Sequence, residues 1–367
     1  MRHRPSRRHL LKQGLLGAGF FVPPFRSAPA VVAPPRVTRQ ALGTMVFGYQ
    51  TSQMLHVAAK LKIADLLEKG PRTTADLAAE TGTDADALYR LLRALASIGI
   101  FTELDGRRFR LNAASEYLRA DVPESVRVAA EIAGEEWMWR PWGGLLLSVT
   151  TGKTAFDQLY GMGTFDWFAQ HPDSGRLFDE GQAVATTGVA RAVVDAADLS
   201  QARLIVDVGG GDGTLLSTAL RVNPSARGVL FDLAAVVDAA RRTFDPAVAP
   251  RTEFVGGDFF KAIPTSADVY LMKSILHDWD DGDCRRILSV TRRAMAATAH
   301  LLVVEDLVCA PNQPCAAKAK DLNMLVRTGG RNRTEKEYRD LLAQNGFRTS
   351  RILPTASTLF VIEARPA

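Results

Sequence analysis

One histidine set among carboxylates, in Lys273-Ser274-Ile275-Leu276-His277-Asp278-Trp279-Asp280-Asp281, is the stretch of this 367-residue chain with the most chemistry to offer. It follows an apolar, strand-like run, and open α/β sheets bind their ligands at the carboxyl ends of such strands. An imidazole of ordinary pKa, about 6.5, is neutral at pH 7, so His277 can take a proton from an attacking hydroxyl. A lone histidine is more often a structural hydrogen-bonder. The acids around it also have a plain use: Asp280 and Asp283 read as caps of a helix that runs through Ile287. The second informative stretch is residues 204–216, LIVDVGGGDGTLL. Its apolar start reads as a buried parallel strand, and Asp207, Gly209, Gly211 and Gly213 follow at alternate positions before a helical period begins. Such a turn lets backbone amides approach a ligand with no Cβ in the way, while the acid at the strand end can take a ligand cation. With no ligand it would be a tight strand-to-helix turn. A dinucleotide fingerprint fails on spacing, because Thr214 stands where its third glycine belongs.

These motifs need a sheet to hold them. Strands near Leu204, Gly228, Glu253, Asp268, His300, Arg351 and Thr358 alternate with helical runs such as 283–297 and 335–344. That pattern predicts an α/β fold with a seven-stranded, doubly wound, Rossmann-like sheet. The last two strands are joined by Pro354-Thr355-Ala356-Ser357, too short for anything but a hairpin, so the last strand is antiparallel. Upstream, Met54, Leu55, Ala58, Leu61, Leu66 and Leu67 line one helical face that Gly70-Pro71 ends. Residues 74–78 and 86–98, about the Gly82 turn, read as a helix-turn-helix, and 101–111, with Asp105-Gly106 at its centre, as a hairpin wing. A winged helix brings in a DNA-binding regulator as an alternative. Its second helix carries only Arg90 and Arg93, few cations for a groove-reading face. Residues 121–195 are helical and rich in aromatic rings, most of them core by size. Trp137, Met138 and Phe156 are candidates to line a pocket, with Asp278 and Met324 beside them. The chain thus divides into a leader (1–40), a winged-helix domain (41–120), a helical connection (121–195) and an α/β domain (196–367).

The formal charge of +5 is misleading, since residues 1–40 carry eight cations and no acid; the body is at −3. A mildly acidic body argues against a nucleic-acid surface and fits a small-molecule enzyme. Within the leader, Ser6-Arg7-Arg8-His9-Leu10-Leu11-Lys12, the apolar run 14–22 and Ala28-Pro29-Ala30 have the parts of a twin-arginine export signal. The other reading is a basic leader on a cytoplasmic enzyme with Met45 as the working start, and both stay open. No segment is long and apolar enough to span a membrane. Cys284, Cys309 and Cys315 have no metal-ligand spacing.

Acid-x-Gly-x-Gly-x-Gly at 207–213 resembles the first motif of S-adenosylmethionine-dependent methyltransferases. Asp232 lies about twenty residues after the glycine turn, where a carboxylate can accept from ribose hydroxyls. Asp258 and Phe259 end the next strand and offer an acceptor for an adenine amino group and a ring to stack on the base. From about Thr44 to Arg365 the chain resembles the caffeate and hydroxyneurosporene type of O-methyltransferase, with DVGGGDG, FDL, GDFF, LMKSILHDWDD and DLNML…TGGRNRTEKEY in family order. The resemblance implies a class I fold, a winged-helix dimerisation domain, a homodimer, and S-adenosylmethionine as cofactor. It implies Gly209, Asp232, Leu233, Asp258, Phe259 and Lys273 as cofactor contacts, joined by Asp207 and Gly211 from the glycine motif. It also implies His277 as base, Glu305 as the acid that orients it, and methyl transfer without a metal to a hydroxyl of an aromatic or polyketide-like small molecule. One position departs: Asn332 stands where relatives with a catalytic triad commonly carry glutamate. An amide can hydrogen-bond but cannot offset imidazolium charge. Some relatives bind the cofactor yet hydroxylate or decarboxylate, which keeps that chemistry as an alternative.

Overall fold

The computed structural model describes residues 36–367; the twin-arginine pattern and its apolar run lie outside the described residues. The first body is a helical unit with a small sheet made of β1 (Arg72–Thr73), β2 (Thr102–Leu104) and β3 (Arg108–Arg110), in the order β1-β3-β2. Thr73 caps the helix Thr74–Thr81, and Gly82, in the left-handed region at φ +67, turns the chain into the helix Ala85–Ser97. Leu77, Leu88, Leu92, Leu95 and Phe109 close their core. The amphipathic run before them is not one helix. It breaks after the helix Gly48–Lys60, where Lys62 takes φ +54, and only the short turn Ile63–Leu66 resumes it. The second helix of the pair buries its leucine face. Arg93 and Arg107 lie over the Tyr89 ring, and Arg107 also pairs with Asp86, so these cations are engaged within the unit.

The α/β body has the seven strands that alternation predicts: β4 (Leu204–Val208), β5 (Arg227–Asp232), β6 (Thr252–Gly256), β7 (Val269–Lys273), β8 (His300–Asp306), β9 (Phe347–Pro354) and β10 (Leu359–Pro366). Their spatial order is β6-β5-β4-β7-β8-β10-β9. Strands β4 to β8 pair in parallel, and β10 runs antiparallel between β8 and β9. The inner parallel strands β4, β5, β7 and β8 are largely buried on both faces because helices cover both, while the edge strand β6 is more open. Val206, Tyr270, Met272 and Val303 pack with Ile287 and Leu341 on one side. Ile205, Leu230, Leu271 and Val304 pack with Val193 and Leu216 on the other. The chain leaves β4 toward β5 and β6, then returns to set β7 on the opposite side of β4. At that reversal the connections diverge and leave a crevice beyond the carboxyl ends of β4 and β7. Among the described residues no helix is long and apolar enough to cross a membrane.

Candidate active site

The crevice is floored by the glycine turn. Gly209, Gly211 and Gly213 take φ of +68, +59 and +80, a region that residues with a Cβ rarely enter. Gly209 N–H donates to Phe231 O at 2.8 Å, and Gly211 N–H to Asp232 Oδ2 at 2.9 Å, which ties the turn to the end of β5. A Cβ on Gly211 would meet nothing within 4 Å, so that face of the turn is open. Asp207 is buried beneath Gly210, and its Oδ2 has no hydrogen-bond partner. Burial pushes its pKa up to about 7 against the pull of Lys273. Asp232 Oδ1 also accepts from Leu233 N at 2.7 Å, while the Leu233 side chain is exposed. Asp258 Oδ1 accepts from Phe260 N at 2.9 Å, and Phe259 sits edge-on to Trp279 beside Gly209. Lys273, at the tip of β7, has its pKa lowered by burial, with Glu305 and Asp207 opposing.

Ser274, at φ +56, ends β7 abruptly, and a single 3-10 turn, Leu276–Asp278, follows. This turn brings His277 over β8. Its Nδ1 donates to Glu305 Oε2 at 2.6 Å, and its backbone N–H to Glu305 Oε1 at 3.2 Å. Glu305 is fully buried on β8, and Asp278 Oδ1 lies 3.6 Å from His277 Nε2. Burial alone would lower the imidazole pKa, but Glu305 and Asp278 outweigh it and raise the value to about 9. The histidine is therefore not the ordinary neutral imidazole that its sequence setting suggests: at pH 7 the free protein holds it charged. The cause is the buried carboxylate, 28 residues away in the chain. Asp280 caps the next helix, Asp281–Ala294, through Asp283 N at 2.8 Å, as read from the sequence.

Arg333 clamps the turn from behind. It is almost fully buried and donates to Leu276 O at 3.0 Å, Trp279 O at 3.2 Å and Asp281 Oδ1 at 2.7 Å. Gly330 lies against the backbone of His277 and Asp278, leaving no room for a side chain. Asn332 is buried in this loop, yet neither side-chain atom finds a partner; only its backbone N–H is bound, to Asp321 Oδ1 at 2.9 Å. It makes no hydrogen bond to His277. Trp137 and Phe156, the sequence candidates for the pocket wall, sit in the aromatic cluster. They are 1% and 0% exposed, locked edge-to-face with Phe168 and Trp167, because large rings bury most area where short helices pack. Met138 is half-buried against that cluster, and Met324 is buried on the helix Ala316–Arg327. Two groups escaped the sequence reading. Asp179, on the long helix Pro172–Ala196, is open to solvent by its surface, yet partial desolvation and the nearby Asp232 and Asp212 raise its pKa to about 6. Arg327 is buried beside Asp278. Nothing local marked either, since both belong to helices whose surfaces could equally have been solvated. A cavity of ≈ 320 Å³, lined by Lys153, Thr154, Asp157, Trp279, Thr328 and Gly329, abuts the turn but includes neither His277 nor Glu305.

Residues 142–348 match the O-methyltransferase domain family, and residues 44–121 match the O-methyltransferase dimerisation domain. The chain belongs to the O-methyltransferase family. A phenazine O-methyltransferase of Lysobacter antibioticus is 45% identical over 323 residues, 88% of this chain and 94% of that protein. An O-demethylpuromycin-O-methyltransferase of Streptomyces alboniger is 40% identical over 332 residues, 88% of each chain. A solved human N-acetylserotonin methyltransferase in complex with S-adenosylmethionine superposes with a TM-score of 0.82 at 29% identity, covering 89% of this chain and 97% of that one. This O-methyltransferase is an enzyme that takes its methyl group from S-adenosylmethionine, and its crevice fits that cofactor. The open glycine face and the unpartnered Asp207 oxygen suit a ligand that brings an ammonium or hydroxyl donor and carries no pyrophosphate. The second helix of the winged unit belongs to a dimerisation domain, not to an operator reader.

Proposed function

We propose that this O-methyltransferase methylates a hydroxyl group on an aromatic or polyketide-like small molecule, with His277 as general base and Glu305 as the group that holds it. The 2.6 Å contact between His277 Nδ1 and Glu305 Oε2 carries this reading. Nδ1 is spent on the carboxylate, which leaves Nε2, with Asp278 Oδ1 3.6 Å away, as the nitrogen that would take the acceptor's proton. A phenol has a pKa near ~10, so a base raised to about 9 receives its proton almost without an energetic step. When bound, S-adenosylmethionine supplies an electrophilic methyl group on a cationic sulfur. Asp207, Gly209, Gly211, Asp232, Leu233, Asp258, Phe259 and Lys273 would hold it, with Asp179 added from the long helix. Glu305, wholly enclosed on β8, holds the ring through Nδ1 and gives the imidazolium that forms a fixed, buried partner.

Two tests bear on this directly. Transfer of a labelled methyl group to a panel of hydroxyaryl compounds should give O-methyl products; hydroxylated or decarboxylated products would favour the alternative chemistry. Asp207→Asn should weaken calorimetric binding of S-adenosylhomocysteine by ~10-fold or more, the scale of a lost hydrogen bond to a charged group. Unchanged affinity would remove Asp207 from the cofactor set.

We further infer a homodimer formed through the amino-terminal helices. Leu42, Met45, Val46, Phe47 and Tyr49 are all exposed on or between the helices Arg39–Val46 and Gly48–Lys60, more contiguous apolar surface than a monomer ordinarily leaves in water. Light scattering at micromolar concentration should report twice the 39.9 kDa chain mass, and a monomer mass would contradict it.

A further inference from the structure

We propose that Cys315 and Cys309 form a reversible modification site for hydroperoxides, in which Cys315 attacks the oxidant and Cys309 resolves the product to an internal disulfide. The inference goes beyond methyl transfer and does not depend on the acceptor. The two cysteines flank the turn Ala310-Pro311-Asn312-Gln313-Pro314, between β8 and the helix Ala316–Arg327. Cys309 N–H donates to Cys315 Sγ at 3.3 Å, which sets that sulfur beside Cys309. The Cys309 thiol donates to Gln313 O at 3.5 Å and the Cys315 thiol to Leu307 O at 3.6 Å, so each turns back toward the other's end of the loop. The turn is held in that shape. Two prolines stiffen it, Asn312 takes φ +64, and Lys318 Nζ donates to Ala310 O and Gln313 O at 2.8 Å each. Both cysteines are partly exposed, so a small oxidant reaches them. Among the described residues no third His, Cys, Asp or Glu joins the pair as a metal ligand.

The two thiols are not equivalent. Cys315 occupies the N-cap position of the helix Ala316–Arg327. Burial works against its thiolate, but the Cys309 thiol and the amides of Cys309, Ala317 and Lys318 outweigh it and lower the Cys315 pKa. Cys309 moves the other way, held as a thiol by its bond to Cys315. The pair therefore divides into an attacking thiolate and a resolving thiol. In the first step a Cys315 sulfur–oxygen bond forms as the peroxide O–O bond breaks, and the hydroxide that leaves takes a solvent proton to become water. In the second, Cys309 gives up its proton and attacks Cys315 Sγ; the S–S bond forms, the S–O bond breaks, and the oxygen departs as a second water. Each sulfur loses one electron, and the peroxide gains both. Cys284 supplies the contrast, since burial raises its thiol pKa to about 12 and shields it from solvent.

The test treats the full chain, reduced and then freed of reductant, with a small excess of hydrogen peroxide. Tryptic cleavage leaves Cys309 and Cys315 together on residues 294–318 and Cys284 on 274–285, so one mass map separates them. The 294–318 peptide should become lighter by two hydrogen atoms and lose both reactive thiols, while Cys284 stays free. Dithiothreitol should restore the original mass. Cys309→Ser should stop the reaction at the sulfenic acid, which dimedone captures on Cys315, and Cys315→Ser should abolish capture on this peptide. Two thiols left free after oxidation, disulfides between chains in place of the internal one, or oxidation of Cys284 at the same rate overturns the inference, and the native protein alone is enough to show any of these. Dimedone capture on Cys309 in Cys315→Ser, at the rate seen for Cys315 in Cys309→Ser, overturns the assignment of the attacking thiol.

Discussion

His277→Ala should lower turnover by at least ~10²-fold while leaving S-adenosylhomocysteine affinity near that of the native protein, the scale expected when a positioned base is lost. The pH profile makes the expectation sharper. The working form is the neutral imidazole, whose fraction grows as pH rises through a pKa held at about 9 by Glu305 and Asp278 against burial. The ratio kcat/KM should therefore climb ~tenfold per pH unit on the acid side and level off only above that value. Glu305→Gln takes away the enclosed negative charge that favours the imidazolium. Its profile should shift to lower pH, by a unit or more, and its plateau should fall because the ring loses its strongest orienting contact. A variant with lower activity but an unshifted profile would show that Glu305 acts only on the fold. Full activity in His277→Ala would reassign the chemistry to alignment of an acceptor that arrives already ionised.

The second large effect belongs to Arg333. Its guanidinium joins four acceptors in one place: the carbonyls of Leu276, Trp279 and Arg331, and the carboxylate of Asp281. Arg333→Ala strips those carbonyls of their charged donor, leaving Leu276 O and Trp279 O mainly the weak Cys284 thiol, and opens a cavity under the catalytic turn. A loss of ~3–5 kcal/mol in denaturant unfolding is expected, from the cavity left by a large buried side chain together with the lost charged hydrogen bonds to buried carbonyls. Turnover should fall with it, through a higher KM and a lower kcat together, because His277 rides on the turn that Arg333 clamps. Asp281→Asn should cost far less, since Asp281 is half exposed and water can replace much of the interaction. Arg333 bonding holds the Asp281 carboxyl below its usual pKa, so the associated stability is present above about pH 4 and is lost as acid titrates that lowered value. If Arg333→Ala unfolds with the native midpoint and keeps native turnover, the clamp is not what positions the turn.

Local order was legible in the residues themselves. The strand beginning at Leu204, the left-handed glycines after it, the Asp280 cap and the hairpin closed by 355–358 each depend on neighbours within a few positions, so spacing and residue type suffice to specify them. The broken helix at Lys62 shows the limit even there, for an apolar stripe says which face is buried and not whether the axis stays straight. The site itself is a different matter. His277 and Glu305 meet because β7 and β8 are parallel neighbours, and only that adjacency encloses the carboxylate and moves the imidazole pKa from its ordinary value to about 9. For Asn332, Trp137 and Phe156 the sequence shows a side chain's chemistry but not what lies against it; in the structure the first has no side-chain hydrogen-bond partner and the other two are buried among aromatic rings. Arg327 reads as one more solvated cation at a helix end until the helical connection folds over it. Burial and pairing are sums over distant contacts, and those sums exist only once the layers have closed.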